Sequence, residues 1–323
     1  MSTPSLFAEP PSRLATSLAR LASQNVFIGT SSWKYPGWMG QIYHEENYRT
    51  RGKFSQKRFE ETCLTEYADT FPIVCGDFSF YQFPSEAFWR KLFSSAPSSL
   101  RFAFKAPEEI TVKQFPTHAR YGPRAGLVNE SFLNADIFER MFLELLGPYT
   151  DRTTVILLEF GTFPKSAFSK SDKESVEIFV DLLDEFLGKL PRTFRYGVEI
   201  RSADFLGPLY FDCLHRHGVA HVFNAWTRMP ELQTQIELPA SQTANFVVTR
   251  ALLKRDRPYE EAVAKFAPYE KVQEPNPAAR AALAELVKRA LKQKQPAYLF
   301  VNNRLEGNAP GTIEAVLDIL EDD

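Results

Sequence analysis

Eight short apolar runs, all but one of them followed by a stretch with helical spacing, constrain this chain more than any other feature. The runs occupy residues 25–31, 72–77, 100–106, 153–160, 194–201, 219–224, 245–250 and 297–302. Between them apolar residues recur every three or four positions, as at Phe59, Cys63, Leu64 and Tyr67, or at Val176, Phe179, Val180, Leu183 and Leu187. Helices are predicted over 54–70, 85–93, 133–146, 171–190, 204–217, 259–267, 277–293 and 312–320. Eightfold alternation without a break in composition predicts an α/β fold, a closed parallel (β/α)8 barrel forming one domain with long βα loops. The competing open doubly wound sheet is disfavoured, because no glycine-rich dinucleotide turn follows the first strand.

A chain of 323 residues suits such a barrel with inserted loops, and 28 Phe suit a sizeable core. Residues 1–25 are expected to form a tail and a capping helix at about 11–23, with the barrel domain over 26–323. The tail holds Arg13, Arg20 and several Ser and Thr with Glu9 as its only acid, a composition shared with transit peptides, but it lacks the apolar core of a signal peptide. Formal net charge is −2, which argues against a general polyanion binder. Cys63, Cys75 and Cys213 are widely spaced and form no disulfide framework or zinc pattern, so a reducing, cytoplasmic setting is expected. No apolar run approaches a membrane span. Oligomeric state is not readable from the chain.

The loop after the first strand carries a recognisable pattern. Residues 28–43 read Ile-Gly-Thr-Ser-Ser-Trp-Lys-Tyr-Pro-Gly-Trp-Met-Gly-Gln-Ile-Tyr. Four further stretches follow in order: Phe-Tyr-Gln-Phe-Pro-Ser at 80–85, Phe-Ala-Phe-Lys-Ala-Pro-Glu-Glu-Ile-Thr at 102–111, Val-Glu-Ile-Arg at 198–201, and Asn-Asn-Arg-Leu-Glu-Gly-Asn-Ala-Pro at 302–310. Together they resemble the YecE-like domain-of-unknown-function family 72 (DUF72) over about residues 26–320. The resemblance implies a barrel of the triosephosphate isomerase (TIM) type and carries over positions rather than a reaction. The chain departs from the family pattern at Ser32, at Cys75 and Asp77, and at Ala251-Leu252-Leu253 after Arg250.

In such a barrel the functional face is built from the C-terminal ends of the strands. Those ends carry Ser31, Ser32 and Trp33; Asp77 and Tyr81; Lys105; Glu159; Glu199 and Arg201; Asn224 and Trp226; Arg250; Asn302 and Asn303. The set reads as cation-rich in a mildly acidic chain. Lys105, Arg201 and Arg250 suit an anionic substrate, with Arg201 and Lys105 expected to converge on one anion site and Glu199 to orient Arg201. Glu199, Lys105 and Asp77 are the catalytic candidates. Arg201, Arg250, Trp33, Tyr81, Glu159, Asn302 and Asn303 are the substrate-binding candidates. Ion pairing that merely stabilises loops competes with this reading. Trp33, Tyr35, Trp38 and Tyr81 offer aromatic faces to a sugar or base, or simply pack a long loop on the rim.

No cofactor is expected. None of His44, His118, His215, His217 and His221 falls in a ligand pattern, and Cys213 with His217 reads as an unliganded outer helix face. Asp77, Glu159 and Glu199 would suit Mg²⁺ or Mn²⁺, but the neighbouring cations disfavour it. The leading expectation is a metal-independent hydrolase or isomerase for a small anionic, sugar-like substrate. A non-catalytic binder of an anionic ligand or nucleic acid is the alternative, with a divalent-metal hydrolase or nuclease-like barrel as a third.

Overall fold

The computed structural model describes residues 11–163, 167, 168 and 171–322. Its centre is a closed ring of eight parallel strands. They are β1 (Val26–Thr30), β2 (Ile73–Gly76), β3 (Arg101–Lys105), β4 (Thr153–Phe160), β5 (Tyr196–Ile200), β6 (Ala220–Ala225), β7 (Val247–Ala251) and β8 (Ala297–Val301). The ring closes where β1 pairs with β8 from Val26↔Ala297 to Thr30↔Val301, and with β2 at Thr30↔Val74. The TIM-type barrel expected from the alternation is the observed fold.

Side-chain alternation along each strand divides the core in two. Ile28, Phe102, Phe104, Leu158, Val198 and Ile200 face outward and pack against the helices. Phe27, Cys75, Ala103, Leu157, Val222 and Phe300 fill the barrel interior. One pleat above that apolar layer the same strands point inward with Lys105, Glu159, Glu199, Asn224 and Arg250, so the interior turns polar at its C-terminal mouth.

Local signals place most helices. Ser12, Ser55, Ser85, Ser171 and Asn276 each accept a hydrogen bond from the third residue on, capping the helices Arg13–Ala22, Gln56–Thr70, Glu86–Ser95, Asp172–Lys189 and Pro277–Gln293. Gly218, at φ 63°, ends Pro208–His217 in the left-handed conformation. The last helix starts at Ala309 rather than 312, because Asn308 Oδ1 caps Gly311 N and Pro310 fits the first turn. The segment predicted as one helix over 133–146 contains a π turn, Glu139–Leu143, between Ala135–Phe138 and Glu144–Leu146. A small hairpin, Arg49–Thr50 with Lys53–Phe54, and the helix Leu232–Glu237 were not expected. Their short runs carry too little periodicity to stand out.

The N-terminal helix buries Leu14, Leu18 and Leu21, and Arg13 pairs with Asp318 and Glu321 of the last helix. The expected tail over residues 1–10 lies outside the described residues. Among the described residues no helix is long and apolar enough to cross a membrane.

The tightest backbone approach is at Gly29, where a Cβ would sit 2.0 Å from the Ile73 carbonyl oxygen on the neighbouring strand. Gly29→Ala should therefore cost about 3 kcal/mol or more in urea unfolding. Gly188→Ala, on an exposed helix face where the new Cβ meets only ordinary contact, should gain about 0.5–1 kcal/mol.

Candidate functional site

Glu159 and Glu199 are direct neighbours in register across β4 and β5, and both side chains are buried in the barrel. Two adjacent carboxylates out of water repel one another and lose hydration, a cost of several kcal/mol per ion without partners. Arg250 of β7 reaches between them: its Nη1 donates to Glu159 Oε2 at 2.6 Å and also to Glu199 Oε2, and its Nη2 to Asp77 Oδ1 at 3.2 Å. Arg201, just past β5, closes the arrangement from above, with Nε donating to Glu199 Oε1 and Nη2 to Glu159 Oε2, both at 2.8 Å. Lys105 Nζ lies 2.9 Å from Glu159 Oε2 and 3.9 Å from Asp77 Oδ1.

Three cations thus meet three carboxylates. The cation-rich reading of the strand ends is corrected: the network is balanced, because each inward cation finds acids contributed by other strands. Burial alone would raise the Glu159 pKa. The charges of Arg201, Lys105 and Arg250 outweigh it and hold the carboxyl well below its usual range. Burial likewise opposes the charge of Arg250, but the carboxylates of Glu199, Glu159 and Asp77 keep it a fixed cation. Burial pushes the Cys75 thiol up to about 12, leaving it inert beneath the guanidinium.

Aromatic rings cover the upper side. Phe80 lies 3.7 Å from Lys105 Nζ, and Trp226 lies 3.8 Å from the Arg201 guanidinium. Exposure is graded across the network. The Glu199 side chain is inaccessible, Arg250 is 2% exposed, Arg201 12% and Asp77 33%. Asp77 is therefore the carboxylate at the lip. A cavity of about 480 Å³ opens beside Arg201, lined also by Thr162, Phe163, Ser202, Asp204 and Arg228.

The remaining expected residues are arranged otherwise. Asn303 Oδ1 accepts from Trp38 Nε1 and Ala309 N, and Asn302 Oδ1 accepts from Arg304 N, so both brace the loop after β8. Trp33 is buried edge-on to Phe78. Tyr81 is 60% exposed on the rim, with Arg120 stacked 5.0 Å above its ring. Trp38 is also buried, and Tyr35 packs against it, so this loop is largely rim packing. Asn224 anchors to Ile200 O through Nδ2 and keeps a buried, unbonded Oδ1. Phe80 and Arg304 were not singled out from the sequence. Phe80 lies one residue before Tyr81 and Arg304 one residue after Asn303, inside the quoted patterns at 80–85 and 302–310.

For a metal, the mouth is crowded: Glu159 Oε2 and both Glu199 oxygens already face cations. Among the described residues the one group of three donor side chains close enough for an ion is Asp184, Cys213 and His217, on the outer helices. There Asp184 Oδ1 already bonds His217 Nε2 at 2.8 Å and Arg216 Nη2 at 2.7 Å.

Residues 27–323 match the family described as "Protein of unknown function DUF72". The chain belongs to the DUF72 family. A DUF72 family protein of Thermotoga maritima is 20% identical, with 92% of this chain and 99% of that chain covered and a TM-score of 0.59. One from Enterococcus faecalis is 15% identical over 92% and 95%, with a TM-score of 0.60. A GH10 endoxylanase from a sugarcane soil metagenome reaches 11% identity over 94% and 99%, with a TM-score of 0.45, too remote to bear on function. A search of curated proteins found no match. This DUF72 chain thus shares its barrel with family members, and its chemistry has to be argued from its own mouth.

Two measurements check the electrostatics. Arg250→Ala strands two buried carboxylates and should cost about 3–5 kcal/mol in urea unfolding, partly restored by adding Glu199→Gln. The folded-state pKa of Glu159 is depressed, so its stabilisation is complete above the ordinary carboxylate pKa of about 4.3 and is lost as pH falls through the lower folded value. Glu159→Gln should therefore be less stable at neutral pH and show a flatter loss of stability in acid than the wild type.

Proposed function

We propose that the chain is a metal-independent enzyme acting on a small, anionic, sugar-like substrate by proton transfer of the isomerase type. The observation that carries this reading is the graded exposure of the network. Glu159 and Glu199 are pinned and withdrawn, whereas Asp77 is held against Arg250 and Lys105 with a third of its side chain open. One accessible carboxylate beside fixed cations suits proton abstraction next to a polarised oxygen. Two-carboxylate glycoside hydrolysis needs both acids to reach the scissile bond, which this arrangement does not favour.

In this reading Asp77 takes and returns the proton, and Lys105 polarises the substrate oxygen. Arg201 offers Nη1, which makes no protein hydrogen bond among the described residues, to a second oxygen. Glu199 and Glu159 touch no substrate and hold Arg201, Arg250 and Lys105 in place. Both the Arg201 cavity and the aromatic rim agree with a polyhydroxylated ligand.

The test is deuterium wash-in. Aldose phosphates, ketose phosphates and sugar acids incubated with the protein in D2O should include one that exchanges a carbon-bound hydrogen, seen by NMR. Asp77→Asn should slow that exchange at least about 100-fold while leaving ligand-induced thermal stabilisation in place. Stabilisation by a ligand without exchange or turnover in the wild type would instead identify a binding protein.

A further inference from the structure

A balanced network leaves no spare positive charge for an anionic substrate, so the counter-charge has to lie outside it. Most cations around the mouth are already committed. Arg120 pairs with Glu108, Arg124 with Glu109, and Lys254, Arg257 and Lys265 share Glu274. Arg304 makes no ion pair among the described residues.

Its side chain is nevertheless held in place. Arg304 lies in the turn after β8, its backbone N–H donating to Asn302 Oδ1 at 3.0 Å. Its guanidinium stacks 4.5 Å from the centre of the Tyr259 ring, and its Nε is buried without a hydrogen-bond partner. A cation that is oriented and partly desolvated, with no anion of its own, is prepared for one from outside.

Its place after the C-terminal end of β8 puts it on the lip. Burial pushes the Tyr35 hydroxyl up to about 12, with the Arg304 charge acting against that shift and the Asp77 charge adding to it. Burial also raises Tyr81, and among the charges and hydroxyls acting on it are those of Asp77, Glu159 and Tyr259. Tyr35 in turn packs edge-on against Tyr269 at 5.5 Å. Arg304 follows β8, and Asp77 and Tyr81 follow β2, the two strands that flank β1, so all three stand at the C-terminal mouth, with Tyr259 stacked on Arg304.

We propose that Arg304 binds the anionic group of the substrate, a carboxylate or phosphate, while Tyr259 and Tyr81, 44% and 60% exposed, present their rings to its body. This rests on the mouth being the substrate site and adds where the substrate's charge goes. Arg195, just before β5 and so at the opposite end of the barrel, is exposed, faces the Phe246 ring at 5.9 Å and makes no ion pair among the described residues. It serves as the control.

The experiment is a thermal-shift titration with inorganic phosphate, ribose 5-phosphate and glucuronate, with uncharged ribose as the blank. The wild type should show a saturable shift with at least one anion and none with ribose. Arg304→Ala should weaken that response about tenfold or more, Arg304→Lys should keep part of it, and Arg195→Ala should match the wild type. Arg304→Gln, which keeps a flat polar end over Tyr259, covers the case in which the alanine variant folds poorly. A wild-type response in both Arg304→Ala and Arg304→Gln, with loss in Arg201→Lys or Arg228→Ala, would overturn the inference and leave the substrate-site reading standing. No saturable response to any of the three anions in the wild type would overturn that reading, and the inference with it.

Discussion

Arg250 between Glu159 and Glu199 is the contact on which the mouth of this barrel depends. Parallel register sets the two glutamates side by side on adjacent strands, inside a ring whose next layer down is apolar. Neither acid can stay ionised there alone. The guanidinium offers several donors in one plane, which a lysine cannot do, and so serves both glutamates and Asp77 at once. Arg201 and Lys105 complete the count and bring the charges into balance.

That balance has a functional consequence. A site with surplus positive charge would hold anions wherever they happened to land. A neutral network with a single exposed carboxylate has a direction: Asp77 faces the opening, and the buried acids behind it hold the cations that keep it in place. In the proposed reading, selectivity for charge is left to the rim, where Arg304 sits against Tyr259 with no acid of its own among the described residues. Rigid interior and adjustable rim is the division of labour that a barrel allows, since loops change without disturbing the strands.

Much of this was legible in the chain. Alternation within 198–201 and 102–105 is local, so the inward turn of Glu199, Arg201 and Lys105 follows from strand geometry alone. The pairing of charges is not local. Arg250 and Glu159 are 91 residues apart, and Arg250 and Asp77 are 173 apart. Reading strand ends therefore gathered side chains that the fold brings together but miscounted their charge, because nothing in the sequence says that Asp77 and Glu159 both reach the same arginine. Asn302 and Asn303 are legible as strand-end residues but not in what they bond. Polar residues at a strand end look like site residues, yet their side chains are spent on Trp38, Ala309 and Arg304, bracing the loop. Arg304 itself was passed over because it lies beyond the strand end, in a turn whose side-chain direction no periodicity predicts.

The claim beneath all of this is that Glu159 stays charged inside the barrel because three cations surround it. A pH titration of the protein with ¹³C-labelled glutamate carboxyls, with Glu159 assigned by comparison with Glu159→Gln, reads that charge state directly. The account predicts a Glu159 carboxyl signal that remains in its ionised position through the range, near about pH 4, where exposed glutamates titrate. A Glu159 carboxyl that titrates with the exposed glutamates, or at higher pH than they do, would contradict it.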